Sequence, residues 1–261
     1  MISRWRRACR LFLVAALALL ATPPAFAGAP LVAAASDLRV ALDEVAAQFA
    51  RETGSTVRIV YGSSGNFRRQ IAEGAPFELF MSADEALVFA LAKEGRTLDD
   101  GVLYATGRIA LVVPEGSALK LDARLADLAA AVADGRLRKF AIANPAHAPY
   151  GRAAQEALTA AGAWDAIVPR LVYGENVAQA AQFALSGSAQ GGIVALSLAL
   201  APGVLGSARY VPIPEDMHRP LKQRMVLTRL AGAGAGAFYR HLQQPAARAV
   251  LERYGFTLPG D

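Results

Sequence analysis

Short apolar runs, each followed by a stretch of helical period, recur along the chain, and this alternation breaks once and starts again. Pro30 to Ala35 is apolar; Ser36 and Asp37 then offer helix caps, and Leu38, Leu42, Val45, Ala46 and Phe49 follow at helical spacing up to Gly54. Thr56 to Tyr61 reads as the next strand, Gly62-Ser63-Ser64-Gly65 as a turn and Asn66 to Ala72 as a helix. Phe77 to Met81 is a third strand, with Ser82-Ala83-Asp84-Glu85 as the next helix start. Strands that alternate with helices are joined by crossovers and lie parallel, so the fold class is α/β. A strand over Arg108 to Val113 then ends at Pro114, and the pattern restarts. Phe140 to Ala143 reads as a strand, Asn144 to Gly151 as a loop and Arg152 to Ala161 as a helix. Leu171 to Tyr173 is a strand, Gly174-Glu175-Asn176 a turn, Val177 to Leu185 a helix and Gly192 to Leu196 a strand. Gln223 to Leu227 reads as a late strand, Ala231 to Ala237 as a flexible Gly/Ala loop, and Phe238 to Tyr254 as helix interrupted near Pro245. These signals predict two lobes with a ligand cleft between them: 28–107 with 220–261, and 108–219.

The first 27 residues are set apart from this pattern. Arg4, Arg6, Arg7 and Arg10 precede an apolar run from Leu11 to Ala21, then Pro23, Pro24 and Ala25-Phe26-Ala27. That is the layout of a secretory signal peptide cut after Ala27. The run is shorter than the ~20 residues that span a bilayer. The formal charge is +5, and four arginines with no acid lie in residues 1–27, so the remainder carries 5 − 4 = +1. The basicity belongs to the leader and is no nucleic-acid footprint. The single cysteine, Cys9, also lies in the leader, ahead of the apolar run and away from a lipobox position. The remaining 261 − 27 = 234 residues therefore have neither disulfide nor thiolate chemistry.

In open α/β sheets ligands bind beyond the carboxyl ends of the strands. The residues there are Ser36-Asp37, Gly62-Ser63-Ser64-Gly65, Pro149-Tyr150-Gly151 and Glu175-Asn176-Val177. Most are small, neutral hydrogen-bonding residues that lead into helices. A helix N-terminus presents unpaired N–H groups and a partial positive charge, and binds anions without Lys or Arg. An uncharged shell of this kind suits a fully ionised oxyanion. Val177 contributes by its N–H, since its side chain belongs to the core. Arg68 and Arg69 read as a solvated helix face.

Catalysis has little to build on. The chain has three histidines, His147, His218 and His241, with no metal-ligand spacing. No G-x-S-x-G elbow surrounds a serine, and no Gly-Lys-Ser/Thr follows Gly65. His147 is a loop residue near the cleft mouth, and Glu215-Asp216 sit in a Pro-rich loop. The residues by themselves leave the ligand open: a metal oxyanion, another oxyanion or small organic acid, or the substrate of an exported hydrolase.

The same positions carry a resemblance. "VAAASDL", "YGSSGNFRRQIAEGAPFELFMSADE", "IANPAHAPYGRAA", "GENVAQAAQFALSGSAQGGIVALS" and "RYGFTLP" resemble, in that order, the periplasmic molybdate-binding proteins of ABC importers. The resemblance implies a two-lobed type II periplasmic-binding fold, location in the periplasm, and molybdate or tungstate bound as the oxyanion. It also implies an inner-membrane permease as partner, no cofactor and no enzymatic activity; a monomer suffices for one cleft. Carried over by position, the contacts fall on Ser36, Asp37, Ser64, Tyr150 and the backbone of Val177, with Ser63 as neighbour. Two departures stand out. Ala195 replaces a strand tyrosine found in many members, which places this chain in the branch where the tyrosine of "APYG", Tyr150, makes that contact. Asp37 is the other. A carboxylate ~4 Å from an anion costs ~4 kcal/mol at an effective dielectric of 20, so its N–H is expected to serve the ligand, with the carboxylate turned to the helix end or solvent.

Overall fold

The computed structural model describes residues 28–203 and 208–260; the predicted leader lies outside them. Its strands are β1 (Leu31–Ala35), β2 (Arg58–Gly62), β3 (Leu79–Ser82), β4 (Val102–Gly107), β5 (Ile109–Pro114), β6 (Phe140–Ala143), β7 (Leu171–Gly174), β8 (Gly191–Ala195), β9 (Ala208–Pro212) and β10 (Leu221–Leu227). The helices are α1 (Arg39–Thr53), α2 (Ser64–Ala72), α3 (Glu85–Lys93), α4 (Leu128–Ala133), α5 (Pro149–Ala160), α6 (Trp164–Ile167), α7 (Val177–Leu185), α8 (Leu196–Ala199), α9 (Ala233–His241) and α10 (Pro245–Arg253). Among the described residues no helix is long and apolar enough to cross a membrane.

Two five-stranded sheets form, in the orders β2-β1-β3-β10-β4 and β7-β6-β8-β5-β9. Within each, the βαβ strands are parallel: β1 pairs with β2 and β3, and β6 with β7 and β8. Each sheet also takes one antiparallel strand, β10 between β3 and β4, and β5 between β8 and β9. The chain passes between sheets twice, at Arg108 and between Pro212 and Leu221.

β1 shows why an apolar run of this length becomes a central strand. Val32 and Ala34 face one helix layer, with Leu38, Leu42, Val45, Phe49 and Phe238. Ala33 faces the other, with Phe67, Phe80, Val88 and Leu91. Alternate residues are buried on opposite faces, as in a parallel sheet covered on both sides. The second sheet is built alike around Leu111, Phe140, Ile142 and Ile193, and its core takes in Ala35 and Ala83 from the first.

Several local expectations are corrected. β4, β9 and α4 lack a clean period and escape the sequence reading. The Gly/Ala segment is not a loop: α9 begins at Ala233, where alanines offset the glycines and Ala235 and Phe238 anchor the inner face. α2 and α5 start earlier than their sequence signals, at Ser64 and Pro149. Pro149 opens α5 because its missing N–H is one the first turn leaves unpaired. Ser36 and Asp37 do not cap α1; with Leu38 they form a 3-10 turn that has no side-chain cap bond.

Candidate ligand site in the cleft

The carboxyl ends of β1, β2 and β3 face the starts of α5 and α7 across the cleft. Where they meet lies a cavity lined by Ser36, Asp37, Ser63, Ser64, Ala83, Tyr150, Asn176 and Val177, among others. All six residues singled out in the sequence are buried and line it together. The room left inside is about that of one water molecule. Asp37 and Tyr150 are the ionisable residues in its lining; no lysine, arginine or histidine is among the described ones. An open depression of about 520 Å³ beside Arg152, Glu156 and Arg219 is larger, but its rim carries charges of both signs.

Three helix starts point inward. α2 begins at Ser64 and α5 at Pro149, neither with a side-chain cap bond. α7 begins at Val177, where the Asn176 side chain accepts from Gln179 N and leaves the N–H of Val177 without a partner inside the helix. These ends supply a positive field with no cationic side chain.

Hydroxyl bookkeeping sorts the side chains further, since each hydroxyl has one proton to give. Ser36 Oγ accepts from Ala178 N at 3.2 Å and Ser64 Oγ accepts from Ala83 N at 3.0 Å. Both keep a proton for the cavity. Ser63 Oγ donates to the His147 carbonyl at 2.6 Å, and Tyr150 Oη donates to Asp37 Oδ2 at 2.9 Å. Those two protons are committed elsewhere in this arrangement.

The cleft is shut by bonds from one lobe to the other. The His147 carbonyl also accepts from Gly65 N at 3.0 Å, and His147 Nδ1 lies 3.0 Å from Ser63 Oγ. Ser197 Oγ donates to the Asp37 carbonyl at 2.8 Å. At the rim Asn66 bonds Glu175, and Arg152 pairs with Asp84. Arg68 and Arg69 turn to Glu94 and Asn66. Glu215 and Asp216 are tied up in ion pairs with Arg108 and Arg124. Ala195 is buried at the end of β8, paired with Ile109.

Asp37 overturns its expectation. Its carboxylate does not face solvent: it is buried against the backbone N–H groups of Asp37 and Leu38, and Oδ2 accepts from Tyr150 Oη at 2.9 Å and from Gln223 Nε2 at 2.7 Å. Gln223 Nε2 also donates to Tyr150 Oη at 3.0 Å, and Gln223 Oε1 accepts from Tyr104 Oη at 2.6 Å. Gln223, Tyr104 and Ser197 were not foreseen. Gln223 stands between Lys222 and Arg224 and reads locally as surface, yet it is fully buried. Burial pushes the Asp37 carboxyl up to about 6, against the pull of the hydrogen bonds from Gln223 and Tyr150. Burial, and then the Asp37 charge, raise the Tyr150 hydroxyl well above its ordinary value.

The Asp37 shift has a sign that can be tested. Its folded value, about 6, exceeds its ordinary 3.8, so the carboxyl favours the folded state below 3.8 and that contribution is lost as pH rises through 6. About two units correspond to roughly 3 kcal/mol. Asp37→Asn mimics the protonated acid and is expected to gain up to that much over the wild type at pH 8, and little at pH 4. Urea unfolding of both ligand-free proteins across this range is the check; parallel stability curves would contradict the assignment.

The profile of a family described as bacterial extracellular solute-binding proteins matches residues 30–257. The chain belongs to that family. Within it, the chain is 35% identical over 260 residues to the molybdate-binding protein ModA of Rhodobacter capsulatus, covering 96% of this chain and 95% of that one. The ModA of Escherichia coli is 34% identical over 233 residues, 87% of this chain and 88% of the relative. Among solved structures, the periplasmic molybdate-binding protein of Azotobacter vinelandii superposes with a TM-score of 0.80 at 31% identity, over 88% of this chain and 99% of that one. The sulfate-binding protein SubI of Mycobacterium tuberculosis shares the fold alone, with a TM-score of 0.69 at 17% identity over 89% and 87% of the two chains. The solute-binding architecture does not by itself choose the oxyanion; the cavity must.

Proposed function

We infer that this solute-binding protein captures molybdate, and tungstate with it, in the periplasm and delivers it to the permease of an ABC importer without chemical turnover. The observation that carries the reading is the small buried cavity between the lobes, lined by neutral donors from both. Ser36 and Ser64 give their hydroxyl protons to the anion, Val177 gives its N–H from the start of α7, and Asp37 gives its own N–H. Ser63 and Tyr150 line the cavity while holding the lobes together. An anion bridging both lobes stabilises the closed state by its differential affinity for it. Sulfate is a smaller anion of the same charge and shape. In a shell sized for molybdate it leaves donors unmet, each at roughly 1.5–3 kcal/mol for a bond to a charged group. Relatives named as molybdate-binding support the choice at identities above 30%. A single cleft serves one protomer, so a monomer completes the site.

The test is thermal unfolding of the purified protein with molybdate, tungstate, sulfate and phosphate, each at the same concentration. A ligand at 100 times its Kd adds about 2.7 kcal/mol of stability. A rise with molybdate and tungstate and little with sulfate is the expected result. No shift with either metal oxyanion removes the reading.

A further inference from the structure

We propose that Asp37 is a specificity-determining residue that recognises the oxyanion as a neutral acid, so that each anion bound takes up one proton, held between Asp37 Oδ1 and an anion oxygen. The inference rests on the functional reading above and deepens it. Its basis is the unequal treatment of the two carboxyl oxygens. Oδ2 is saturated, accepting from Tyr150 Oη at 2.9 Å and Gln223 Nε2 at 2.7 Å. Oδ1 is buried and has no hydrogen-bond partner. Asp37 itself lines the cavity, and besides Gln223 and Tyr150 only the backbone N–H groups of Asp37 and Leu38 act on its carboxyl. A buried polar atom without a partner is rare and calls for one.

An ionised carboxylate there would repel a dianion. A protonated one donates to it, and the arrangement favours the proton on Oδ1 because Oδ2 already receives two. No cation neutralises the group: Asp37 forms no ion pair among the described residues. From β10 it meets the neutral Gln223, and from α8 the Ser197 hydroxyl, which bonds its carbonyl. From α5 and β4 the titratable groups are Tyr150 and Tyr104, both held protonated by burial and by the Asp37 charge. Arg39, two residues along the chain, lies over the Tyr61 ring. Burial independently raises the Asp37 carboxyl toward neutrality.

No covalent bond forms or breaks beyond the protonation itself: solution supplies H⁺, Asp37 becomes the acid, and the anion accepts a hydrogen bond. This adds a second criterion to cavity size. A more basic oxyanion shares the proton better, which favours molybdate and tungstate over the weakly basic sulfate. An anion that brings its own proton, such as hydrogenphosphate, needs none from solution.

The test is titration calorimetry of the full protein with molybdate and with tungstate at pH 8, in two buffers of different ionisation enthalpy, repeated from pH 7 to 9. The wild type is expected to take up close to one proton per anion, its Kd rising about tenfold per pH unit. Asp37→Asn, which keeps the shape of the acid but cannot titrate, is expected to bind with no uptake and no such slope. Molybdate binding by the wild type with no proton uptake overturns this proposal and leaves the functional reading intact. No heat with either anion, from protein whose unfolding transition is intact, overturns the functional reading and this proposal with it. The wild-type arms decide alone if the variant does not fold.

Discussion

Gly65→Ala is expected to hold the two lobes apart without unfolding either, and to weaken molybdate binding roughly a hundredfold. A Cβ built on Gly65 lies 2.4 Å from the carbonyl oxygen of His147, which belongs to the opposite lobe. The obstacle is backbone and cannot rotate away. Within its own lobe the change is harmless, because Gly65 lies in the first turn of α2 and alanine is the better helix former. What fails is closure. The bonds from Gly65 N and Ser63 Oγ to the His147 carbonyl, 3.0 and 2.6 Å, lengthen or break. The donors at the start of α7 draw back from the anion with them. Two neutral bonds at about 0.7 kcal/mol each and one bond to a charged group at about 1.5 give about 3 kcal/mol, near two decades in Kd. Calorimetry gives the affinity, and solution scattering with and without molybdate gives the closure. Tight binding with the usual compaction would show that the contact at His147 does not control the closed state.

Tyr150→Phe is the second large effect, expected at about thirtyfold in Kd. Tyr150 stands on α5 and Asp37 at the end of β1, so their hydrogen bond exists only when the cleft is shut. Removing the hydroxyl leaves Asp37 Oδ2 with Gln223 as its remaining donor, and Gln223 without one of its acceptors. With Asp37 the neutral acid in the bound state, the two bonds of the hydroxyl, to Asp37 and from Gln223, contribute about 1 kcal/mol each, and about 2 kcal/mol converts to the stated factor. A lowered midpoint with unchanged Kd would reassign Tyr150 to packing.

The parts of this site that were legible in the sequence are those where a strand ends and a helix starts within a few residues. Ser36, Ser63, Ser64 and Val177 follow their strands directly, so periodicity alone places them at one edge of a sheet. Tyr150 was reachable by the same rule, although its helix begins before Arg152 because Pro149 can open it. Gln223 and Tyr104 were not reachable. They come from β10 and β4, and β10 returns to the first sheet antiparallel after the whole second sheet is built. Nothing local tells which of its residues faces the cavity. Asp37 was misjudged for a related reason. A pairwise argument sent its carboxylate away from an anion, whereas the donors that hold it inward are Gln223, 186 residues away in sequence, and Tyr150, 113 away. The Gly/Ala segment shows the opposite error: composition suggested flexibility where burial of Ala235 and Phe238 imposes a helix.

The place of β10 between β3 and β4 sets an order on synthesis. A nascent chain holds all five strands of the second sheet once Pro212 has emerged, and can complete it at that point. The first sheet must wait for Leu221–Leu227. Until then β4 has no neighbour within its sheet, and β3 presents an unpaired edge carrying Leu79, Phe80 and Met81, all fully buried at the end. The half that begins first therefore finishes last. For that interval the growing polypeptide carries a sticky strand edge of the kind that seeds pairing with other chains.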